Sequence, residues 1–142
     1  MKYYVFNTLT PNDNPRTLFQ VLSPTNHRVQ IIGAEIGLQG STPASPAVLF
    51  DWCIQNTAGT SSAATPQYQD RGIDETKLAT LAKDFTTEPT FVATLIAFPI
   101  HQQGTYPWRP PFRIIVKGAE RVALRYRSGN FVPVTFTVYI EE

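Results

Sequence analysis

The sequence predicts an all-β fold, a jelly-roll-like antiparallel β-sandwich of about eight strands with one short surface helix. Three observations predict it. Twelve prolines and eight glycines interrupt the 142 residues at short intervals. The segments between them are rich in Val, Ile, Phe, Thr and Tyr, which suit a pleated, half-buried surface. Several of these segments alternate apolar and polar residues with a period of two, so that one face meets a core. The length fits a single domain, residues 1–142, with no second domain and no clear internal repeat.

Taken in chain order, the first strand is expected at about Tyr3 to Leu9, before the proline-bounded "TPNDNP". Residues 1–16 also read as a partly extended amino-terminal arm, in which Tyr3, Tyr4 and Phe6 would contact a neighbour. "TLFQVLS" (17–23), "RVQIIGAEIGLQ" (28–39) and "AVLFDWCIQN" (47–56) follow as strands. In the last of these, Val48, Phe50, Trp52 and Ile54 share a face. "NTAGTSSAATPQYQD" is small and polar and reads as a loop. "DETKLATLAKD", from Asp74 to Asp84, is the predicted helix. Leu78, Leu81 and Ala82 would lie on one side of it, with Asp74 and Glu75 near the positive end of the dipole and Lys83 near the negative end.

Phe91 to Phe98 is apolar on both faces, as expected of a central strand whose outer face is covered. "FRIIVKG" points Phe112, Ile114 and Val116 inward and Arg113 and Lys117 outward. "KGAE" reads as a hairpin turn into "RVALRYR", with Val122, Leu124 and Tyr126 inside and Arg121, Arg125 and Arg127 outside. The carboxyl-terminal "PVTFTVYIEE" is the clearest strand: Val134, Phe136, Val138 and Ile140 face the core, and Thr135, Thr137, Tyr139 and Glu141 face away.

Charged residues make up 16% of the chain, against about 25% in a typical soluble domain, so part of the surface is expected to be covered. A net charge of +1 gives no general attraction to nucleic acid or to an anionic membrane surface, and neither is an expected partner. The longest apolar stretch, 91–100, is far short of the ~20 residues of a spanning helix. The opening residues do not form a secretory signal, and the single cysteine, Cys53, forms no intrachain disulfide; a reducing cytoplasm suits it.

No catalytic, metal-binding or cofactor-binding constellation emerges. His27 and His101 are scattered, without metal-ligand spacing, and neither HExxH nor a glycine-rich phosphate loop occurs. The serines of "GTSSAA" lack a nucleophile elbow, Cys53 beside Trp52 reads as a packed hydrophobe, and Asp51 and Glu35 lie on strands with no spacing that joins them. Binding surfaces remain. "QGTYPWRPPFR" places Tyr106, Trp108 and Arg109 among prolines, and such rings and arginines are enriched at interface centres. The alternative is that Trp108 plugs one end of the sandwich while the prolines guard an edge. Arg121, Arg125 and Arg127 form either a solvated strand face or ion pairs with a partner.

"CIQNTAGTSSAATPQYQD", "TTEPTF", "HQQGTYPWRPPF" and "PVTFTVYIEE" together resemble small bacteriophage virion proteins, the jelly-roll capsid decoration or cement proteins, over roughly half of the chain. The resemblance implies a non-enzymatic subunit made in the host cytoplasm and carried on the outside of the virion head. It implies a homotrimer that binds the major capsid protein and reinforces the shell. Arg121, Arg125, Arg127 and Arg109 are then the polar contacts, and Tyr106, Trp108, Tyr3, Tyr4 and Phe6 the apolar ones. The alternative function is a tail- or fibre-associated module binding a host-surface carbohydrate, with Trp108 stacked on a sugar.

Overall fold

A computed structural model describes residues 1–41, 46–72, 75–109 and 113–142. Among these residues the chain forms twelve strands: β1 (Lys2–Leu9), β2 (Arg16–Leu22), β3 (Val29–Leu38), β4 (Val48–Gln55), β5 (Thr60–Ala63), β6 (Gln67–Tyr68), β7 (Thr80–Thr87), β8 (Phe91–Ile100), β9 (Thr105–Trp108), β10 (Ile114–Val116), β11 (Arg121–Ser128) and β12 (Val134–Glu141). They make two antiparallel sheets. Sheet A has the order β10-β3-β12-β1-β6, with β9 pairing β3 beyond β10, and sheet B the order β5-β7-β2-β11-β4-β8.

The core lies between the sheets and follows the period-two pattern. Val134, Phe136, Val138 and Ile140 of β12 are all fully buried, as are Val48, Phe50 and Trp52 of β4 and Leu124 and Tyr126 of β11. Rings from the two sheets meet across the interior: Phe19 with Phe136 at 6.2 Å between centroids, and Trp52 with Trp108 at 5.2 Å. Each aromatic pair of this kind contributes about 0.5–1.5 kcal/mol beyond its buried area.

Four expectations are corrected. Residues 80–84 are strand, not helix, and no helix occurs among the described residues; Asp74 lies outside them. The spacing of Leu78, Leu81 and Ala82 suggested a helical face, but Leu81 and Phe85 form the buried side of β7 while Leu78 is 59% exposed. A helix that short is marginal in water, whereas a strand here completes the hydrogen-bond ladder of β2. The polar stretch after β4 contributes two short strands, β5 and β6, which pair through main-chain groups and need no apolar side chains. The turn at 117–120 is not a hairpin, because β10 belongs to sheet A and β11 to sheet B; it carries the chain from one layer to the other. Finally, β8 is not a central strand but the rim of sheet B, hydrogen-bonded to β4 alone.

The amino terminus is tied into sheet A. β1 lies between β12 and β6, pairing along its whole length with β12 from Lys2↔Glu141 to Leu9↔Val134. Phe112, expected to point inward, lies outside the described residues.

Candidate functional site

The outer face of sheet B carries a buried polar cluster. Asp51, Cys53 and Gln55 alternate with the core residues of β4 and therefore point away from the core, as do Ala123 and Arg125 on β11. Arg125 stands directly opposite Asp51 on one side and Thr17 on the other. Its Nε donates to Asp51 Oδ1 at 3.0 Å and its Nη2 to Oδ2 at 2.7 Å, a two-pronged pair with the Asp51 side chain fully buried and that of Arg125 8% exposed. Thr94 of β8 adds a third bond to Asp51 Oδ2 at 3.1 Å, and the Phe91 ring lies 4.4 Å from the guanidinium carbon. Burial works against the charge of Arg125, but the bonds and charge of Asp51 outweigh it and hold the guanidinium pKa above its ordinary value.

The cluster continues across β2. Opposite Leu124 and Arg125 of β11 stand Phe19 and Thr17, so Leu18 is the extra residue of a bulge. Beside that bulge the Thr17 N–H donates to Glu88 Oε1 at 2.5 Å and the Thr17 hydroxyl to Oε2 at 2.7 Å. Gln55 donates to the Thr17 hydroxyl and accepts from Gln20, which also donates to the Thr57 carbonyl. Both oxygens of each carboxylate are engaged. The arrangement is a brace that fixes the β7–β8 connection and the start of β8 on sheet B.

Cys53 sits inside this brace, fully buried. Burial, reinforced by the charge of Asp51 and opposed by Arg125, pushes its thiol pKa up to about 12. An unfolded cysteine releases its proton near pH 8.5. Between these values the unfolded chain binds fewer protons than the fold, so the stabilisation present below pH ~8.5 is lost as pH rises toward 12. Urea titrations from pH 8.5 to 10 are expected to show stability falling with a slope approaching about 1.4 kcal/mol per pH unit. Cys53→Ala is expected to remove the part of that slope that sets in below about pH 9, leaving the fall that Tyr3 and Tyr126, whose folded pKa values are also raised by burial, add toward pH ~10.

Beyond the brace lies an exposed apolar rim. Residues 91–97 of β8 are all exposed, including Phe91 at 45%, Val92 at 51%, Leu95 at 42% and Ile96 at 38%. Ten consecutive residues carry no charge. Rim strands commonly bear lysines, prolines or bulges that prevent pairing with another chain. β8 has Pro99 near one end and two register shifts against β4, yet its apolar side chains remain open.

The expected contact residues are dispersed. Arg125 is enclosed by Asp51 and Phe91 and 6% exposed, so it is an internal brace and not a solvated residue. Trp108 is 4% exposed and packs on Trp52, the end plug weighed as its alternative. Tyr3 is 2% exposed, with its hydroxyl donating to Glu142 Oε2 at 2.6 Å. Burial and Glu142 raise its pKa above the ordinary range. Phe6, Arg109 and Arg127 are open to solvent, Arg109 lying 4.0 Å from Glu35. Tyr106 is 37% exposed and stacks on Phe98, a buried residue at the end of β8 beyond the exposed rim. Tyr4 is half-buried on the outer face of sheet A, and Arg121 is half-buried near Ile54 and Val92.

His27 Nε2 lies 4.0 Å from Glu142 Oε1, but that carboxylate also binds the Tyr3 hydroxyl and the N–H groups of Leu78 and Ala79 and so pins residues 78–79 to sheet A. No group of three or more His, Cys, Asp or Glu residues is placed to hold a metal among the described residues, and no helix there is long and apolar enough to cross a membrane. Glu88, Thr17 and Thr94 were not singled out from sequence. Their signal was faint: a carboxylate in "TTEPTF" that only the bulge in β2 turns into a ligand. No family model, curated protein or solved structure matches the chain.

Proposed function

We propose that the protein is a non-enzymatic virion subunit, a phage head decoration protein of the jelly-roll class. In this reading it works without a cofactor, as a homotrimer bound to the major capsid protein on the outside of the shell. The observation that carries the reading is the charge-free rim of β8, seven consecutive residues of which are exposed. Apolar side chains grouped this way mark a surface that another chain covers. A rigid brace beneath the rim supports the same reading, because a preorganised surface loses little entropy on docking. The jelly-roll assignment is supported by strands that repeatedly change sheets along the chain, β1 to β4 lying in A, B, A and B.

Within the trimer, β8 meets the next copy around a closed threefold ring, in which each subunit offers β8 to a different surface of its neighbour. Tyr106, which stacks on Phe98 at the end of β8, extends the apolar contact, while Arg127 at the end of β11 in sheet B faces outward for the capsid protein; Phe6 and Arg109 belong to sheet A and its border and are left outside that contact. Trp108 is enclosed and offers no ring to a sugar, so the tail-module alternative would need different rings.

Mixed with undecorated capsids, the protein is expected to cosediment at low and moderate salt; recovery in the supernatant under both conditions overturns the capsid reading. Sedimentation equilibrium is expected to give a trimer. Val92→Lys and Leu95→Lys place a charge on the rim without touching the core, and each should weaken self-association at least about tenfold, or 1.4 kcal/mol. Unchanged association would rule out β8 as the contact.

A further inference from the structure

The outer face of sheet A, the sheet that does not contain β8, holds an aromatic groove. One cavity of about 350 Å³ is lined by Tyr3, Tyr4, Ile32, Tyr68, Gln69, Arg71 and Tyr139. A second, of about 240 Å³, is lined by Ile32, Gly33, Ala34, Arg109 and Tyr139. They share Ile32 and Tyr139, so together they run across the strands instead of along them. The first lies near the lower end of the small-ligand range, about 300–1,000 Å³, and the second, at about 240 Å³, falls below it.

The register explains the groove. Tyr4 and Tyr139 stand directly opposite each other on β1 and β12, their centroids 6.1 Å apart. On the next strand Tyr139 faces Gly33 and Ile140 faces Ile31, which leaves Ile32 as the extra residue of a bulge. Beside the ring, Gly33 leaves the space open: a Cβ there would lie 3.9 Å from Tyr139 Cδ2 and 3.3 Å from the Trp108 carbonyl oxygen. The chain beyond β6 forms the far wall with Gln69 and Arg71.

The charges in this groove are one-sided. Arg71 lines one cavity and Arg109 the other, and neither lining contains a carboxylate. Of the nearby acids, Asp70 precedes Arg71 and accepts from the Gly72 N–H at 3.0 Å, Glu35 lies 4.0 Å from Arg109, and Glu141 is held by Arg113 at 2.8 Å. Arg71 has no ion pair among the described residues. Two half-buried tyrosine rings give flat apolar platforms with polar edges, and the guanidinium groups suit a planar carboxylate.

We propose that this groove binds an acidic saccharide, with the C–H face of a uronic-acid ring on Tyr139 and Tyr4 and its carboxylate paired with Arg71. A peptide is disfavoured because a groove crossing the strands presents no open backbone edge for its amides. The site is independent of β8 and stands whether or not the protein decorates a head.

The test is titration of the full chain with tetragalacturonate and, in parallel, with the neutral tetrasaccharide maltotetraose and with tetraglutamate, followed by NMR. Tetragalacturonate is expected to shift the resonances of Tyr139, Tyr4 and Arg71, with maltotetraose and tetraglutamate each at least about tenfold weaker. Tyr139→Ala and Arg71→Gln should each weaken binding about tenfold. Tyr139→Phe, which keeps the platform, and Phe131→Ala, outside the groove, should leave it within about twofold. Equal binding of tetraglutamate would reduce recognition to charge, equal binding of maltotetraose would remove the role of Arg71, and no shift with tetragalacturonate at 10 mM, about 2.7 kcal/mol of affinity, would remove the site; any of these overturns the proposal.

Discussion

Arg125→Met is expected to lower the unfolding free energy by about 3–5 kcal/mol, a large part of the 5–15 kcal/mol typical of a domain. The cause is what the change leaves behind. The Asp51 side chain has no exposed surface, and without the guanidinium it keeps, among the described residues, only the Thr94 hydroxyl as a side-chain hydrogen-bond partner at 3.1 Å. An unpaired carboxylate in that position costs far more than the Arg125–Asp51 pair contributes relative to apolar residues of the same volume. The double variant Asp51→Leu/Arg125→Met should therefore recover most of the loss, because neither charge is then buried. Urea unfolding of the wild type, both single variants and the double variant measures the coupling directly. A single-variant cost below about 1 kcal/mol, typical of exposed pairs, would mean that water reaches the pair and that the brace under β8 is not closed. The brace also ties stability to the proposed contact surface. Phe91 rests on Arg125 and Thr94 is bonded to Asp51, so the same variant should loosen the start of β8 and weaken self-association.

This brace shows where sequence reading succeeds and where it stops. Alternation was enough to place Val134, Phe136, Val138 and Ile140 inside and to give Val122, Leu124 and Tyr126 the opposite face from Arg125, because side-chain direction follows from the backbone period alone. The same period placed Arg125 outward correctly, yet an outward position is solvated only if nothing lies above it. Its cover comes from Phe91, 34 positions earlier, and its counter-charge from Asp51, which sits opposite only through the pairing of β4 with β11. Neither relation has a local signature. β8 failed in the reverse direction: a segment apolar on both faces is normally a covered central strand, and its neighbours in the sheet, unlike its composition, are not written in its own residues. In β7, three apolar residues at helical spacing competed with Leu81 and Phe85 at strand spacing, and the ladder to β2 decided the outcome. The tyrosine groove depends on a bulge at Ile32 that no turn residue announces beyond Gly33.

Trp52→Ala is expected to be the most damaging change inside the sandwich, lowering stability by about 3–5 kcal/mol. Trp52 is fully buried on the inner face of β4 and meets Trp108 from the opposite sheet at 5.2 Å. Truncation would open a void between the layers and release the β9 strand that Trp108 anchors to β3. Trp52→Phe should cost much less than the lost volume implies. The indole Nε1 of Trp52 is buried without a hydrogen-bond partner among the described residues, and a phenylalanine removes that unpaired donor together with the bulk. Leaving a donor unsatisfied costs about 1–3 kcal/mol, which offsets part of the packing loss. The chain has only two tryptophans, so near-ultraviolet circular dichroism reads their contact directly. Either substitution should abolish the Trp52–Trp108 signal, but only alanine should bring a large fall in the urea midpoint. If phenylalanine and alanine destabilise equally, the indole nitrogen has a partner and the cavity is not the dominant cost. If neither does, the two sheets are not joined through this pair, and the plug assigned to Trp108 has no energetic role.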